Sequence, residues 1–330
     1  MTSNNLSASI VIRCYNEELH IGRLLDGITK QTVRDVEIIV VDSGSTDNTV
    51  SIASRYPIKL LAIKPEDFSF GRSLNIGCRA ATKDVIVIAS AHVYPTYDDW
   101  LERMLTPFAD SQVALVYGRQ RGNEITKYSE HQVMAKWFGE ATNLDQEEPF
   151  CNNANAAIRR HLFDLLEYDE SLTGLEDLDW AHRAMTLGHK IAYVAEAEII
   201  HAHNESSKQT YNRYRREAIA LSRIFTNERF GGQDFCRLFL ANVINDYRHA
   251  VLDRSILRHI AEIPCFRFMQ FWGTYRGFAQ RGPVTSQLKK TFYYPVSRQS
   301  KKNVTDTDLR QRPVQYIEEG MEQTVESNNR

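Results

Sequence analysis

The chain has 330 residues, 42% hydrophobic and 25% charged, with a formal net charge of −2. That composition excludes collagen, coiled-coil rods and wholesale disorder, and the length allows one large or two modest domains with a substantial core. Residues 1–204 hold 19 Lys+Arg against 29 Asp+Glu, which does not suit nucleic acid; residues 205–302 hold 18 against 7, which suits an anionic membrane surface or a phosphate-bearing substrate.

In chain order, residues 9–13 (SIVIR) form a short apolar strand. Asn16 is placed to cap the next helix, with Glu17 and Glu18 in its first turn and Ile21, Leu24, Leu25 and Ile28 at helical spacing. Residues 36–41 are a second buried strand, followed by the turn sequence SGSTDNT and a short helix capped by Ser45 or Thr46. Strand 58–63, helix 70–81, strand 84–89, a helix carrying Trp100, Leu101, Met104 and Leu105, and strand 113–117 follow. Residues 119–150 read as a long loop with a helix near 130–138. Then come a short strand at 154–158, a helix over 176–187 and a strand-like stretch over 190–200 ending in His201-Ala202-His203. From 206 to about 294 the pattern is helical and rich in Arg and aromatics, and beyond 298 it reads as a disordered polar tail.

Repeated βα units with continuous apolar strands predict an α/β architecture with a mostly parallel sheet covered on both faces. Ligands of such sheets sit at the carboxyl ends of the strands. The residues there are Cys14-Tyr15-Asn16-Glu17, Asp42-Ser43-Gly44-Ser45 and Ser90-Ala91-His92. Arg72 and Asn75 lie one helical turn apart and can face one cleft. Glu176 and Asp177 open a helix, where an ionised carboxylate is favoured. The five cysteines (Cys14, Cys78, Cys151, Cys236 and Cys265) show no CxxC spacing, which points to a reducing compartment rather than a disulfide framework. No secretory signal and no run long enough to span a bilayer is visible, so a soluble or peripheral cytoplasmic protein is expected.

SIVIRCYNEE, EIIVVDSGSTDNT and GLEDLDWAHRA, in that order and spacing over roughly 9–203, resemble family 2 glycosyltransferases of the GT-A fold. FSFGRSLNIG and HAHNESSKQTYNRYRREA look like a rhamnosyltransferase-like subgroup. The resemblance implies a GT-A domain over 1–204, divided near 118 into nucleotide-sugar and acceptor halves, with a helical region over 205–297. It also implies an inverting transfer from a nucleotide-diphosphate sugar to a saccharide or lipid-linked acceptor in surface polysaccharide synthesis, with no organic cofactor and no nucleic-acid partner.

By the same resemblance Asp42 accepts a hydrogen bond from the base, though it also suits an ordinary turn acid. Tyr15 could stack on the base and Glu17 bind the ribose, with Cys14, Asn16, Ser43 and Ser45 completing the nucleotide loops. Arg72 could offset diphosphate charge, with Asn75 beside it. Asp177 is the implied base for the acceptor hydroxyl, with Glu176 as its understudy. Asn155, Asp179 and Trp180 line the acceptor side, although Trp180 equally suits the core.

The chain departs from the family where an Asp-x-Asp motif normally holds Mg²⁺ or Mn²⁺, since Ser90-Ala91-His92 stands there. Two accounts are open. His92 with His201 or His203 holds a divalent cation, or no metal binds and His92, Arg72 and nearby donors stabilise the diphosphate directly. The latter corresponds to a metal-independent enzyme with an unusual donor. A catalytically silent sugar-nucleotide-binding assembly protein and a nucleotidyltransferase are the remaining alternatives, the last disfavoured because RCYNEE is no Gly-rich basic loop. Arg213, Arg215, Arg216 and Arg223 among Tyr211, Tyr214 and Phe225 suit either peripheral contact with anionic lipid or a helix closing over the front domain. Phe266, Phe268, Phe271 and Trp272 suit an anchor or a bundle core.

Overall fold

The computed structural model describes residues 7–279 and 311–316. The front part runs β1 (Ser7–Cys14), α1 (Ile21–Thr29), β2 (Asp35–Asp42), α2 (Thr49–Ala53), β3 (Ile58–Ala62), α3 (Phe70–Arg79), β4 (Val85–Ser90), β5 (Val93–Pro95), α4 (Trp100–Leu105), β6 (Val113–Arg121), α5 (Tyr128–Trp137), β7 (Asn155–Arg159), α6 (Arg160–Leu165), α7 (Glu176–Thr186) and β8 (Lys190–His201). Helices α8 (Ser207–Ile224), α9 (Gly232–Leu252), α10 (Ile256–His259) and α11 (Glu262–Phe278) follow.

The eight strands form one sheet in the order β3-β2-β1-β4-β7-β6-β8-β5. Pairs β1–β2, β1–β4, β2–β3 and β6–β8 are parallel, whereas β4–β7, β6–β7 and β5–β8 are antiparallel. The sheet is therefore mixed and less parallel than the sequence pattern suggests. The buried run at 154–158 carries no signal of its direction, because a strand covered on both faces reads the same either way.

Successive residues of a strand point to opposite faces, and β1 shows the consequence. Ile10 and Ile12 join Leu24, Leu25, Trp100 and Met104 in one core layer. Val11 faces the other layer with Leu74, Cys78, Trp180 and Ala184. α1 begins at Ile21 and α2 at Thr49, later than expected, because Asn16 takes a left-handed φ of 55° and the loops after β1 and β2 bond to each other instead of capping helices.

Helices α8, α9 and α11 build a separate apolar cluster around Phe230, Leu238, Phe271 and Phe278, and Leu178 of α7 joins it to the front domain. Gly273 and Gly277 let α11 approach α8 backbone to backbone: a Cβ at Gly277 would sit 2.6 Å from Arg215 O and 2.6 Å from Ala218 Cβ. Arg267 of α11 and Asp246 of α9 form a buried bidentate ion pair at 2.7 and 2.8 Å. Ser129 of α5 donates to the same carboxylate at 2.7 Å, which pins the helical region to the front domain.

Most of the tail expected to be disordered lies outside the described residues. Residues 311–316 are an exception to that expectation. Val314 N–H donates to Thr96 O at 3.0 Å and Asp98 N–H to Arg312 O at 2.9 Å, so this short stretch lies along the β5 side of the sheet. The Arg23 guanidinium sits over the rings of both Tyr94 and Tyr316. All five cysteines are free thiols.

Candidate active site

The loops after β1 and β2 are stitched together into one platform. Thr46 N–H donates to Asn16 Oδ1, Asn16 N–H to Ser45 Oγ, and Glu17 N–H to Thr49 Oγ1. Asp42 is buried, and its carboxylate accepts the N–H groups of Gly44 and Ser45 at 3.0 Å, which is the turn-acid geometry. Cys14 lies against it with Sγ 3.6 Å from Asp42 Oδ1, and burial pushes the thiol pKa up, which makes it packing rather than a nucleophile. Ser43 is buried and donates its N–H to Cys14 O. Tyr15 projects outward, 55% exposed, so its ring is accessible to a ligand.

Three imidazoles meet at the far side of that platform. Strand β5 pairs antiparallel with β8 so that Val93 lies opposite His201, bringing His92 against the His201-Ala202-His203 segment. Ring centres are 5.0 Å apart for His92–His201, 5.8 Å for His92–His203 and 4.0 Å for His201–His203. Each ring has its Nδ1–H committed to a fixed oxygen at 2.8 Å: His92 to Glu17, His201 to Gln120 and His203 to Glu130. This outer hydrogen bond sets the tautomer and leaves Nε2 as a lone-pair donor.

His201 is buried and its Nε2 has no partner among the described residues. Burial, followed by the neighbouring His203, His92 and Arg213, pushes its pKa well down, so the ring is neutral at pH 7. One ligating atom from each of the three residues lies within 4.8 Å of the others. Imidazoles sharing one ion at about 2.1 Å place their ring centres roughly 5 Å apart, so the cluster fits a single cation. Ser90 and Ala91 supply backbone on this rim but no ligand carboxylate.

Glu130 is almost fully buried. Burial opposes its ionisation, but Arg213 and the hydrogen bond from His203 outweigh that and hold its carboxyl at about 2. Arg213 also pairs with Glu205 at 2.8 Å. Sequence reading missed Gln120 and Glu130, and it left open whether the helix of Arg213 closes over the front domain. A polar residue in β6 or α5 carries no local mark of what it meets across the fold.

Asp177 sits in the first turn of α7, which follows Leu175 in a left-handed conformation (φ 57°), a strained state for a bulky residue. Asp177 Oδ2 accepts the backbone N–H of Asn153 at 2.9 Å and Oδ1 that of Leu178 at 2.8 Å. Burial and the adjacent Glu176 push its pKa up from 3.8 to about 7, against the pull of those two N–H groups and of Arg13. Glu176 is held by Arg13 at 3.4 Å, so the two neighbouring acids have different partners. Asn153 lies just before β7, whose Asn155 pairs with Ala89 of β4, and Ser90 N–H donates to Ala154 O. Asp177 and His92 therefore flank the same strand-end rim.

Several expected site residues are placed otherwise. Asn155 is fully buried. Its amide accepts from Trp100 Nε1 and donates to Arg119 O and Ala197 O, so it ties strands together and cannot reach an acceptor. Trp180 is fully buried in the core between α7 and the sheet, which corrects the expectation of sugar stacking. Asn75 is buried with its amide clamped to Tyr168 and Glu170, so it does not share an open cleft with Arg72. Arg72 stays half-exposed, 3.8 Å from Asp67. Asp179 pairs with Arg183 at 2.9 Å. Glu17 holds His92 in place, a role different from the ribose contact expected of it.

Helix α8 closes over the front domain. Arg213 is directed at Glu130, the Arg216 guanidinium lies over Phe70, and Arg223 donates to Ser171 O. Among the described residues no helix is long and apolar enough to cross a membrane.

Residues 9–166 match the model of glycosyl transferase family 2. The chain is 33% identical over 196 residues to the O-antigen chain rhamnosyltransferase WbaN of Salmonella anatum, covering 56% of this chain and 62% of that protein. It is 29% identical over 222 residues to the O-antigen chain rhamnosyltransferase RfbN of Salmonella typhimurium, covering 63% and 70%. The chain thus spans under two thirds of the first of these relatives. Two solved structures share the fold. The mannosyltransferase PcManGT from Pyrobaculum calidifontis, in complex with GDP-Man and Mn²⁺, has TM-score 0.55 and 19% identity over 87% of each chain. S. aureus TarS 1-349 in complex with UDP has TM-score 0.52 and 17% identity, covering 83% of this chain and 91% of that one. The mixed sheet flanked by helices is thus that of the GT-A fold, and residues 9–166, just under half of the chain, resemble glycosyl transferase family 2.

Proposed function

We propose that this chain is an inverting glycosyltransferase that moves a deoxyhexose or hexose from a nucleotide-diphosphate donor to a saccharide or lipid-linked acceptor of a surface polysaccharide. The observation that carries the reading is Asp177: a buried carboxylate with a pKa near 7, oriented by Asn153 and Leu178 on the rim that holds His92. A general base works best when its pKa lies near the operating pH. Asp177 takes the proton of the acceptor hydroxyl, and that oxygen bonds to the anomeric carbon from the side opposite the diphosphate. The bond from the anomeric carbon to the diphosphate oxygen breaks, and the nucleoside diphosphate leaves with the electron pair. A single displacement of this kind inverts the anomeric centre.

His92, His201 and His203 would hold a divalent cation, which when bound neutralises diphosphate charge. The imidazole set suits Mn²⁺ better than Mg²⁺, a hard ion that prefers oxygen ligands. Tyr15 stacks on the nucleotide base, while Glu17, Gln120 and Glu130 orient the three rings. The names of the Salmonella relatives favour rhamnose as the sugar.

The test is transfer from a panel of nucleotide-activated sugars to a lipid-linked oligosaccharide, with the product's anomeric configuration read by NMR. Transfer with inversion that Asp177→Asn lowers by about 10²–10⁴-fold, with donor affinity kept, supports the reading. Retention of configuration, or an unchanged rate in the variant, overturns it. Calorimetric titration of chelator-treated protein with Mn²⁺ tests the cation site separately, because His92→Gln should abolish that binding without altering the fold.

A further inference from the structure

We propose that the outward face of α9 and α10 is a docking surface for an anionic lipid bilayer. Leu240, Ile244 and Val251 recur on α9 at spacings that keep them on one helical stripe. Leu252 ends the helix, Leu257 belongs to α10, and Ile260 follows it. All six side chains are between 51% and 85% exposed. Isolated exposed aliphatics are ordinary, but a contiguous set on one surface marks an interaction site.

The charge of the surface names the occupant. Arg248, Arg254 and Arg258 lie beside the stripe and, among the described residues, make no ion pair. Of the acids nearby, two are paired with other arginines, and Asp253, bonded to a neutral hydroxyl, offsets part of the arginine charge. Asp246 is buried on Arg267, Asp253 accepts from the Tyr128 hydroxyl, and Asp234 holds Gly231 N–H and Arg237. Residues 280–302 contain six Lys+Arg and no Asp or Glu, so that segment offers no neutralising charge. A second copy of the same face would set arginines against arginines. Exposed aliphatics flanked by arginines that outnumber the unpaired acid Asp253 are the pattern of a helix lying in a membrane interface, its apolar face in the acyl boundary and its cations at the head groups.

Arg213 and Arg216 of α8, in the more conspicuous basic run of the sequence, are engaged by Glu130 and Phe70 of the front domain and are not part of this surface. The Asp246–Arg267–Ser129 contact fixes α9 against α5 of the front domain, so docking through α9 would hold the active site in one orientation above the bilayer. The inference stands on this surface alone and does not require the proposed reaction.

The test is co-sedimentation of the full chain with phosphatidylcholine vesicles with and without phosphatidylglycerol, at low and high salt. Binding that requires phosphatidylglycerol, weakens with salt, and falls about fivefold for each of Arg254→Gln and Arg258→Gln is expected. The double variant Leu252→Glu, Leu257→Glu should abolish binding while its circular dichroism spectrum and thermal midpoint stay unchanged. Both positions are exposed, so the variant should fold normally. Asp177→Asn should bind vesicles like the wild type, which separates this surface from the catalytic reading. Vesicle binding that survives the double Glu variant overturns the proposal, as does a dimer in sedimentation equilibrium that the same variant dissociates. Absence of binding to either vesicle also overturns it.

Discussion

Asp177 and Asn153 are joined by a 2.9 Å hydrogen bond from the Asn153 backbone N–H to the Asp177 carboxylate. It ties the first turn of α7 to the loop that enters the antiparallel strand β7. A backbone donor cannot be removed by changing the side chain at 153, so the orientation of Asp177 depends on the fold itself.

Asp177 sets a conflict between stability and activity. Its folded-state pKa, about 7, lies above its ordinary value of 3.8. The folded chain therefore holds this proton more tightly than the unfolded chain does. The resulting stabilisation is fully present below about pH 4 and is lost as pH rises through about 7. Asp177→Asn should therefore gain stability relative to the wild type as pH is raised from 5 to 8. Urea denaturation of both proteins at these two pH values measures it, and a constant difference would show that the carboxyl is not shifted.

Glu130 holds His203 and pairs with Arg213 in the interior. Glu130→Gln keeps the shape but removes the charge. Cation affinity should fall by about ten- to a hundredfold, the usual effect of losing a partner behind a ligating imidazole. Titration calorimetry with Mn²⁺ reads this directly. Equal affinity would place the cation site elsewhere.

Asp246→Ala strips the partner from a buried arginine and from the Ser129 hydroxyl. Removing one member of a buried ion pair costs about 3–5 kcal/mol. The loss should appear in the denaturation midpoint of the helical region, and replacing the Asp246–Arg267 pair by two apolar residues should recover much of it.

Gly277→Ala adds a methyl where α11 meets Ala218 and the Arg215 carbonyl. An exposed helical Gly→Ala change stabilises by about 1 kcal/mol. Here the clash should reverse the sign, with a net loss of about 1–3 kcal/mol. A thermal midpoint above that of the wild type would show that α8 and α11 can separate without penalty.

Much of the front half of the sheet was legible before any coordinates. β1, β2 and β4 each carry an apolar run, and the residues after them gather at one end of the sheet because parallel strands share a direction. The acid pair opening α7 was marked by its neighbours in GLEDLDW. The surroundings of β7 and α7 were less legible. Asn155 and Trp180 follow the right motifs, yet one amide spends its bonds on Trp100, Arg119 and Ala197, and the indole fills the core. Local sequence reports the residue type but not which of its bonds are already taken.

The sequence by itself determined the strand and helix pattern, the family resemblance and the three histidines, because apolar periodicity and short motifs are local properties. Only the tertiary structure decided that β7 runs antiparallel and that β5 brings His92 against β8. It alone assigned Glu17, Gln120 and Glu130 to hold the rings and set Arg213 and Arg216 of α8 against the front domain. Each of those outcomes pairs residues far apart in the chain, and their partners are chosen by how the layers pack and by the cost of burying an unpaired charge.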